Sequence, residues 1–218
     1  MPGKSISELT VFTNGDSGKV STWSNIPYFF TETLIARGIK INRVDLSASV
    51  FSEKVFYRVL RLFKSEGKYD YFRSFIHFTD VKRRIKKAIR LYPNSQVNIL
   101  LTFSFTSAGL TKKPTILFCD WTFEHSLNYF LHRAPNFFER QAIRREKRQI
   151  ERSDLVISLF PGVAKEMKNR YKNKNILYLG NVINSLQPVS GPNVIGAKIL
   201  SNNLLFVGVC SIAKALKP

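Results

Sequence analysis

The sequence alternates short β-rich apolar runs with longer segments of helical period, and this alternation constrains the fold more than any other feature. Runs at residues 9–12, 39–44, 97–103, 115–119, 155–159 and 176–179 are rich in the β-branched, aliphatic and aromatic residues that strands favour. The longer segments place apolar residues three or four positions apart, as amphipathic helices do. Strands that alternate with helices form parallel sheets. The pattern therefore predicts an α/β fold with a doubly wound, mostly parallel sheet.

Five segments have the apolar spacing and end signals of helices. They cover about residues 27–37, 55–63, 80–91, 136–152 and 163–171, and Gly38 follows the first as a stop signal. With the strands they give the order β-α-β-α-α-β-β-α-β-α-β. Residues 185–203 are rich in Asn, Ser, Gly and Pro and have no firm period. We therefore expect a Rossmann-like domain over residues 1–184, a linker over 185–203, and a new strand at the start of residues 204–218.

Positive charge is the extreme property of the composition. The 218 residues include 34 Lys and Arg against 15 Asp and Glu, a net charge of +19, so we expect a polyanion near this surface. Two predicted helices are basic and amphipathic. The first should bury Val55, Phe56, Val59, Leu60 and Phe63 and expose Arg58, Arg61 and Lys64. The second should bury Val81, Ile85, Ala88 and Tyr92 and expose the six basic residues between Lys82 and Arg90.

Three interpretations of these basic helices remain open. They could be the solvated outer face of the sheet-covering layer, which is the commonest explanation of a charge run. They could bind nucleic acid, although the sequence has no RNP, helix-turn-helix, KH or zinc-finger signature. Lys and Arg opposite Phe and Leu also suit an anionic membrane leaflet, and the charge density between Lys82 and Arg90 makes this membrane-surface role the preferred hypothesis.

Several classes of protein are disfavoured by what the sequence lacks. No run approaches the roughly 20 apolar residues that span a bilayer, and the first residues lack the apolar core of a signal peptide, so we expect a cytoplasmic protein. Cys119 and Cys210 are too few and too far apart for a disulfide framework, which fits a reducing compartment. The three histidines, His77, His125 and His132, have no metal-ligand spacing, so we assign no metal and no cofactor. No Ser, Cys or carboxylate partner for His125 stands out in the sequence.

The polar segment NGDSGKVSTWS follows the first predicted strand, at the edge where ligands of open α/β sheets bind. Gly15 and Gly18 allow the tight turn of an anion-binding loop at a helix start. Neither a Walker A motif nor a dinucleotide fingerprint is complete here. The segment is thus either a surface turn in which Ser21, Thr22 or Ser24 caps the helix, or a ligand-binding loop.

Asp120 follows the apolar run TILFC at the carboxyl end of another predicted strand. A carboxylate there can accept a hydrogen bond from a sugar hydroxyl or act as a general base. It can equally cap the segment that follows, and the sequence leaves both interpretations open.

Four segments in order resemble glycosyltransferase family 4. They are STWSNIPY from Ser21, CDWTF from Cys119, SDLVISLFP from Ser153 with Glu146 eight residues before Asp154, and LFVG from Leu205. These resemble, in turn, the family's Ser-Thr-Trp-Ser-Gly-Thr-Pro loop, its Thr-Asp-Ala-Thr-Phe segment, its Glu-bearing helix with an Ala-Asp-x-Val-Ile strand, and its Phe-Val-Gly strand. Asn25 stands where that loop has a glycine. The resemblance covers the chain from Gly15 to Gly208.

The resemblance implies the N-terminal domain of a GT-B enzyme that transfers a sugar from a nucleotide-sugar donor to a glycan or lipid-linked acceptor, without a metal and with retention of configuration. It implies that Asp120 is the catalytic residue, near the reacting centre or the acceptor hydroxyl. The substrate-binding residues that it implies are Gly15, Gly18, Ser21, Thr22, Trp23 and Ser24. With this resemblance we expect no nucleic-acid partner, while the basic helices described above are the ground for expecting a peripheral position at the inner membrane face.

Residues 204–218 resemble only the first strand of the family's donor-binding domain. The family continues from Phe-Val-Gly into a nucleotide-binding domain, whereas this sequence continues as VCSIAKALKP. Because positioning supplies much of the rate of such a transfer, we expect the chain to be incomplete for catalysis by itself. The alternative function is a non-catalytic basic module that docks on anionic membrane lipid or nucleic acid.

Overall fold

The computed structural model describes residues 6–62 and 70–180. Within them the chain forms one six-stranded sheet in which every neighbouring pair of strands is parallel. The strands are β1 Glu8–Thr13, β2 Lys40–Asp45, β3 Val97–Leu100, β4 Thr115–Cys119, β5 Leu155–Ser158 and β6 Ile176–Tyr178. The prediction of an α/β doubly wound, Rossmann-like sheet is confirmed. The predicted linker and the strand of residues 204–218 lie outside the described residues.

Helices connect most of the strands. They are α1 Ile26–Ala36, α2 Val50–Leu62, α3 Phe75–Leu91, α4 Phe123–Ser126, α5 Phe137–Arg152 and α6 Pro161–Arg170. All five predicted helices are present, in the predicted order. The helix α4, which continues as a π-helical turn over Leu127–Leu131, was not predicted. No helix in the described parts of the chain is both long and apolar enough to cross a membrane.

The strand order is β2-β1-β3-β4-β5-β6, so the chain moves outward from β1 to β2 and then crosses back over β1 to β3. This reversal creates a topological switch point between β1 and β3. In open α/β sheets ligands bind at such a point, outside the carboxyl ends of the strands. A ligand site is therefore expected at the loops that follow β1, β3 and β4.

The core has one layer on each face of the sheet, as strand alternation requires. One layer packs Phe12, Leu100 and Leu117 against α3, α5 and α6, and the other packs Leu9, Val11 and Phe118 against α1. The predicted inward residues of α3 are confirmed, since Val81, Ile85 and Ala88 are buried and Tyr92 packs against the same layer. Arg84 was predicted to point outward but donates hydrogen bonds to the carbonyls of Leu46 and Ser47. It thereby fixes the segment after β2.

The predicted faces of α2 are partly wrong. Phe56 is half-buried, as expected, but Val55 and Val59 are 44% and 45% exposed. Arg58 and Arg61 are exposed as predicted, whereas Phe63 and Lys64 lie outside the described residues. The spacing of apolar residues shows that they share one side of a helix, but it does not show which of them contact the core. The exposed side of α2 therefore carries apolar as well as basic residues.

Candidate functional site

Two adjoining cavities open at the carboxyl ends of β1, β3 and β4, and together we call them the edge cleft. They have volumes of about 270 and 250 Å³ and share Arg73, Thr102 and Ser104. The first is lined also by Asn14 after β1 and by Leu46 after β2. The second is lined also by Asp120, Trp121, Thr122 and Glu146. The edge cleft therefore lies at the switch point of the sheet, where a ligand is expected.

A hydrogen-bonded cluster lies between the two cavities. The Arg73 guanidinium donates to Ser104 Oγ at 2.7 Å, is 3.5 Å from Glu146 Oε2, and stacks 4.0 Å above the Phe123 ring. Ser104 Oγ in turn donates to Glu146 Oε2 at 3.0 Å, and the Phe123 N–H donates to Glu146 Oε1 at 2.6 Å. The cluster thus connects the loop before α3, the loop after β3, the start of α4 and the middle of α5.

Glu146 is the buried member of this cluster, with 5% of its surface exposed. Burial raises the pKa of its carboxyl above the ordinary value, while Arg73, the Phe123 N–H and Ser104 each act to lower it. Burying a charge is costly unless it is paired and hydrogen-bonded. Arg73 therefore has two roles here: it compensates Glu146 and keeps a cationic group at the cleft.

Asp120 lies at the carboxyl end of β4, as predicted, and lines the second cavity. Its Oδ1 accepts hydrogen bonds from the Trp121 N–H at 2.8 Å and from Cys119 Sγ at 3.2 Å. Oδ2 has no partner among the described residues. Burial and the Asp120 carboxylate raise the pKa of the Cys119 thiol, which keeps the thiol protonated as a donor. Asp120 is thus held through one oxygen and can accept a further hydrogen bond through the other. The helix α4 is capped instead by Thr122 Oγ1.

The glycines of the loop after β1 have their amides occupied by carboxylates of the chain itself. Gly15 N–H donates to Asp45 Oδ1 at 2.9 Å, and Gly18 N–H donates to Asp16 Oδ1 at 2.8 Å. Gly15 has a φ of +108°, in the region that favours glycine. An anionic ligand at these two amides would have to displace a carboxylate.

The remaining predicted loop residues form the turn that leads into α1. Trp23 and Ser24 have left-handed backbone conformations, and Trp23 packs against the α1 side of the core. Thr22 Oγ1 donates to the Asp16 carbonyl at 2.6 Å, and Ser21 and Ser24 are exposed. The residue at the N-cap position of α1 is Asn25, and no side chain caps the helix there. None of Ser21, Thr22 and Ser24 therefore has the capping role that was one of the two interpretations.

His77 and His125 have surroundings that the sequence did not indicate. His77 is 1% exposed and lines the first cavity, and its Nδ1 is buried without a partner in the described residues. Burial, with a smaller effect of Arg84, lowers the pKa of His77. His125 Nδ1 lies 2.6 Å from Glu166 Oε2, so the absence of a carboxylate partner inferred from the sequence was wrong. Glu166 also pairs with Arg170, and the Trp121 ring packs on His125.

Sequence reasoning missed Arg73, Ser104 and His77 as cleft residues. Arg73 and Ser104 belong to short connections with no motif, and their partner Glu146 is distant in the sequence. A signal for the start of α3 was present, since Ser74 Oγ accepts from the His77 N–H as an N-cap. In residues 6–62 and 70–180, no group of three or more His, Cys, Asp or Glu residues is placed to hold a metal ion.

No protein-family model matches this chain, and no curated protein matches it. Any assignment of function therefore depends on the chemistry of the edge cleft together with the sequence resemblance described above.

Proposed function

We propose that this chain is the acceptor-side, Rossmann-like part of a retaining, nucleotide-sugar-dependent glycosyltransferase of family 4. The observation that carries the proposal is the state of Asp120. Its carboxylate lies in the edge cleft at the carboxyl end of β4, with Oδ1 held by the chain and Oδ2 without a partner in the described residues. A carboxylate in this state is suited to accept a hydrogen bond from an acceptor hydroxyl.

Arg73, which lines the same cavity as Asp120, also supports the proposal. A guanidinium has five N–H donors, and the hydrogen bonds to Ser104 and Glu146 use only some of them. The remaining donors can bind hydroxyl or phosphate oxygens of a substrate. Asp120 and Arg73 thus give the cavity one hydrogen-bond acceptor and one cationic donor, which suits a polyhydroxylated ligand.

The loop after β1 would border the transferred sugar in this proposal. Because Asp45 and Asp16 occupy the Gly15 and Gly18 amides, the direct contacts would come from exposed side chains such as Ser21 and Ser24. The donor itself would be a nucleotide-sugar, and the acceptor a glycan or a lipid-linked glycan.

The test is binding of the chain to an array of oligosaccharides and polyprenol-linked glycans, followed by titration of each glycan that binds. We expect D120N to weaken the affinity about tenfold or more, because an ionised acceptor is replaced by a neutral amide. D80N is the matched control, since Asp80 is a half-exposed carboxylate on α3 that pairs with Arg84 and lines neither cavity of the edge cleft. Absence of glycan binding, or equal weakening by D80N, would contradict the proposal.

A further inference from the structure

Three helices present exposed apolar side chains beside the edge cleft. Phe51 on α2 is 76% exposed, Phe75 at the start of α3 is 68% exposed, and Phe137 at the start of α5 is 58% exposed. Val55, Ile76 and Phe138 on the same helices are also exposed. Single exposed apolar residues are normal on a protein surface, but several rings on neighbouring elements indicate an interaction site.

A cavity of about 410 Å³ joins these helices. It is lined by Phe56 of α2, by Phe75 and Ile76 of α3, and by Phe137 and Phe138 of α5. We call these lining residues, together with the exposed side of α2, the docking surface. Its lining is mostly apolar, and the charged residues that interrupt it are two arginines and two acids, Arg73, Arg145, Asp70 and Glu139.

The four charged residues of the cavity sum to zero formal charge, so the attraction of an anionic partner depends on Arg145 together with Lys54 and Arg58 on the exposed side of α2. Arg145 has no carboxylate within ion-pair distance in the described residues and donates instead to the Arg73 carbonyl. Burial and the nearby Arg73 lower the pKa of Arg145, as expected for two cations held together. Of the two acids, Glu139 already pairs with Arg133, and Asp70 accepts from the Phe72 N–H.

The exposed side of α2 has the pattern of a helix that lies in a membrane interface. Phe51, Val55 and Val59 recur every four residues and are all exposed. Lys54 and Arg58, also four apart and exposed, lie alongside them. Apolar side chains of such a helix enter the boundary between headgroups and acyl chains, while its Lys and Arg contact lipid phosphates.

We propose that the docking surface binds an anionic lipid bilayer. Aliphatic residues such as Val55 and Ile76 gain from entering the acyl boundary, whereas they offer no stacking to nucleic-acid bases, which favours the bilayer over a single strand. The proposal moves the membrane contact from the basic stripe between Lys82 and Arg90 to α2 and the first turns of α3 and α5. It is independent of the proposed glycosyl transfer.

Docking in this orientation places the bilayer next to the edge cleft. Arg73 and Asp70 line both the apolar cavity of the docking surface and the first cavity of the edge cleft. An amphiphile with its chain in the bilayer would then reach the cleft with its polar end.

The experiment is cosedimentation of the chain with phosphatidylglycerol–phosphatidylcholine vesicles and with vesicles of phosphatidylcholine alone, at low and at physiological ionic strength. We expect the anionic vesicles to retain the chain and phosphatidylcholine vesicles to retain little of it. The double variant F75S/I76S should weaken retention about tenfold or more, since both side chains lose their apolar burial. L91S is the matched control, because Leu91 is 63% exposed at the other end of the same helix.

Two charge-reversed variants distinguish α2 from the basic stripe of α3 as the region that contacts the membrane. K54E/R58E on α2 should reduce retention by anionic vesicles, and K86E/K87E on the exposed side of α3 should reduce it less. Circular dichroism of every variant shows whether the fold is intact. We expect it to be intact, because all the substituted residues are exposed. Lack of retention of the unmodified chain at low ionic strength would overturn the proposal, as would an equal loss in L91S. Binding of single-stranded RNA that depends on Phe75 and Ile76 to the same degree would also overturn it.

Discussion

The surroundings of Glu146 depend on the tertiary fold. Glu146 accepts hydrogen bonds from Ser104 and from the Phe123 N–H and compensates Arg73. E146L would leave the buried Phe123 N–H without an acceptor and the 29% exposed Arg73 side chain without its carboxylate, so we expect it to lower the free energy of unfolding by about 1–3 kcal/mol. E146Q should cost less, because its amide oxygen can still accept from Phe123. Urea unfolding followed by circular dichroism measures both.

The control for this prediction lies on the same helix. Glu151 pairs loosely with Lys147 at 3.9 Å and accepts a 3.2 Å hydrogen bond from the Lys172 N–H. Because the amide oxygen of E151Q can still accept that bond, the substitution should change the free energy of unfolding by less than about 1 kcal/mol. If E146L were no more destabilising than E151Q, the cluster around Arg73 would have no structural role.

Site residues could be predicted from the sequence where a neighbouring strand or helix fixes their position. Asp120 directly follows an apolar strand, so its place at the carboxyl edge follows from the strand alone. Arg73 and Glu146 are 73 positions apart, and no local pattern brings them together. The occupation of the Gly15 amide by Asp45 is likewise a contact between two strand ends, 30 positions apart. It depends on the pairing of β1 with β2.

At the scale of elements, the loop after β1 is held by hydrogen bonds and leaves no room for a side chain at Gly15. A Cβ on Gly15 would lie 2.9 Å from Thr22 Cγ2, and its φ of +108° is unfavourable for any other residue. We expect G15A to lower the free energy of unfolding by about 1–3 kcal/mol through strain and this contact. Thermal unfolding of the two proteins measures the difference.

Gly38 gives the matched control for Gly15. Its φ of +79° is also positive, but a Cβ there would meet no atom within 4 Å. G38A therefore carries the backbone cost without the steric one and should be less destabilising than G15A. Equal effects of the two substitutions would show that Thr22 yields easily and that the loop is not tightly packed.

The helices and strands were predicted well where a long apolar period was present, and poorly where it was not. All six strands lie within or next to the predicted runs, and α5 begins after Asn136, whose side chain forms a capping box with Glu139. The start of α3 was predicted five residues too late, because Phe75 and Ile76 are exposed and break the inward period. The short α4 and its π-helical turn have too few residues for a period.

At the scale of the whole molecule, the α/β class follows from the alternation of elements, but the strand order does not. The sheet order β2-β1-β3-β4-β5-β6 and the resulting switch point follow from which strands pair. The two cavities of the edge cleft result from this arrangement, since the loops that follow β1, β3 and β4 meet at the carboxyl edge. Which residues meet at this edge therefore depends on the strand order as well as on local sequence motifs.

Net charge acts on the molecule as a whole. With 34 Lys and Arg against 15 Asp and Glu, like-charge repulsion destabilises the compact state. At an ionic strength of 0.1 M, salt largely screens the repulsion between exposed charges that are more than about 10 Å apart. Salt also weakens exposed ion pairs such as Arg170–Glu166, but each of these contributes only about 0–1 kcal/mol. We therefore expect the Tm to rise when NaCl is added from low to physiological ionic strength, as measured by differential scanning calorimetry.

The variant K86E/K87E separates charge repulsion from other effects of salt. It reverses two exposed positive charges on α3 and leaves the buried side of that helix unchanged. Because the variant has less repulsion to screen, its Tm at low ionic strength should be higher than that of the unmodified chain. Its Tm should also rise less than that of the unmodified chain as NaCl is added. A Tm that falls with salt in the unmodified chain would mean that attractive pairs outweigh the excess of positive charge. In that case the +19 charge would be balanced locally, and the electrostatic part of the membrane proposal would lose its basis.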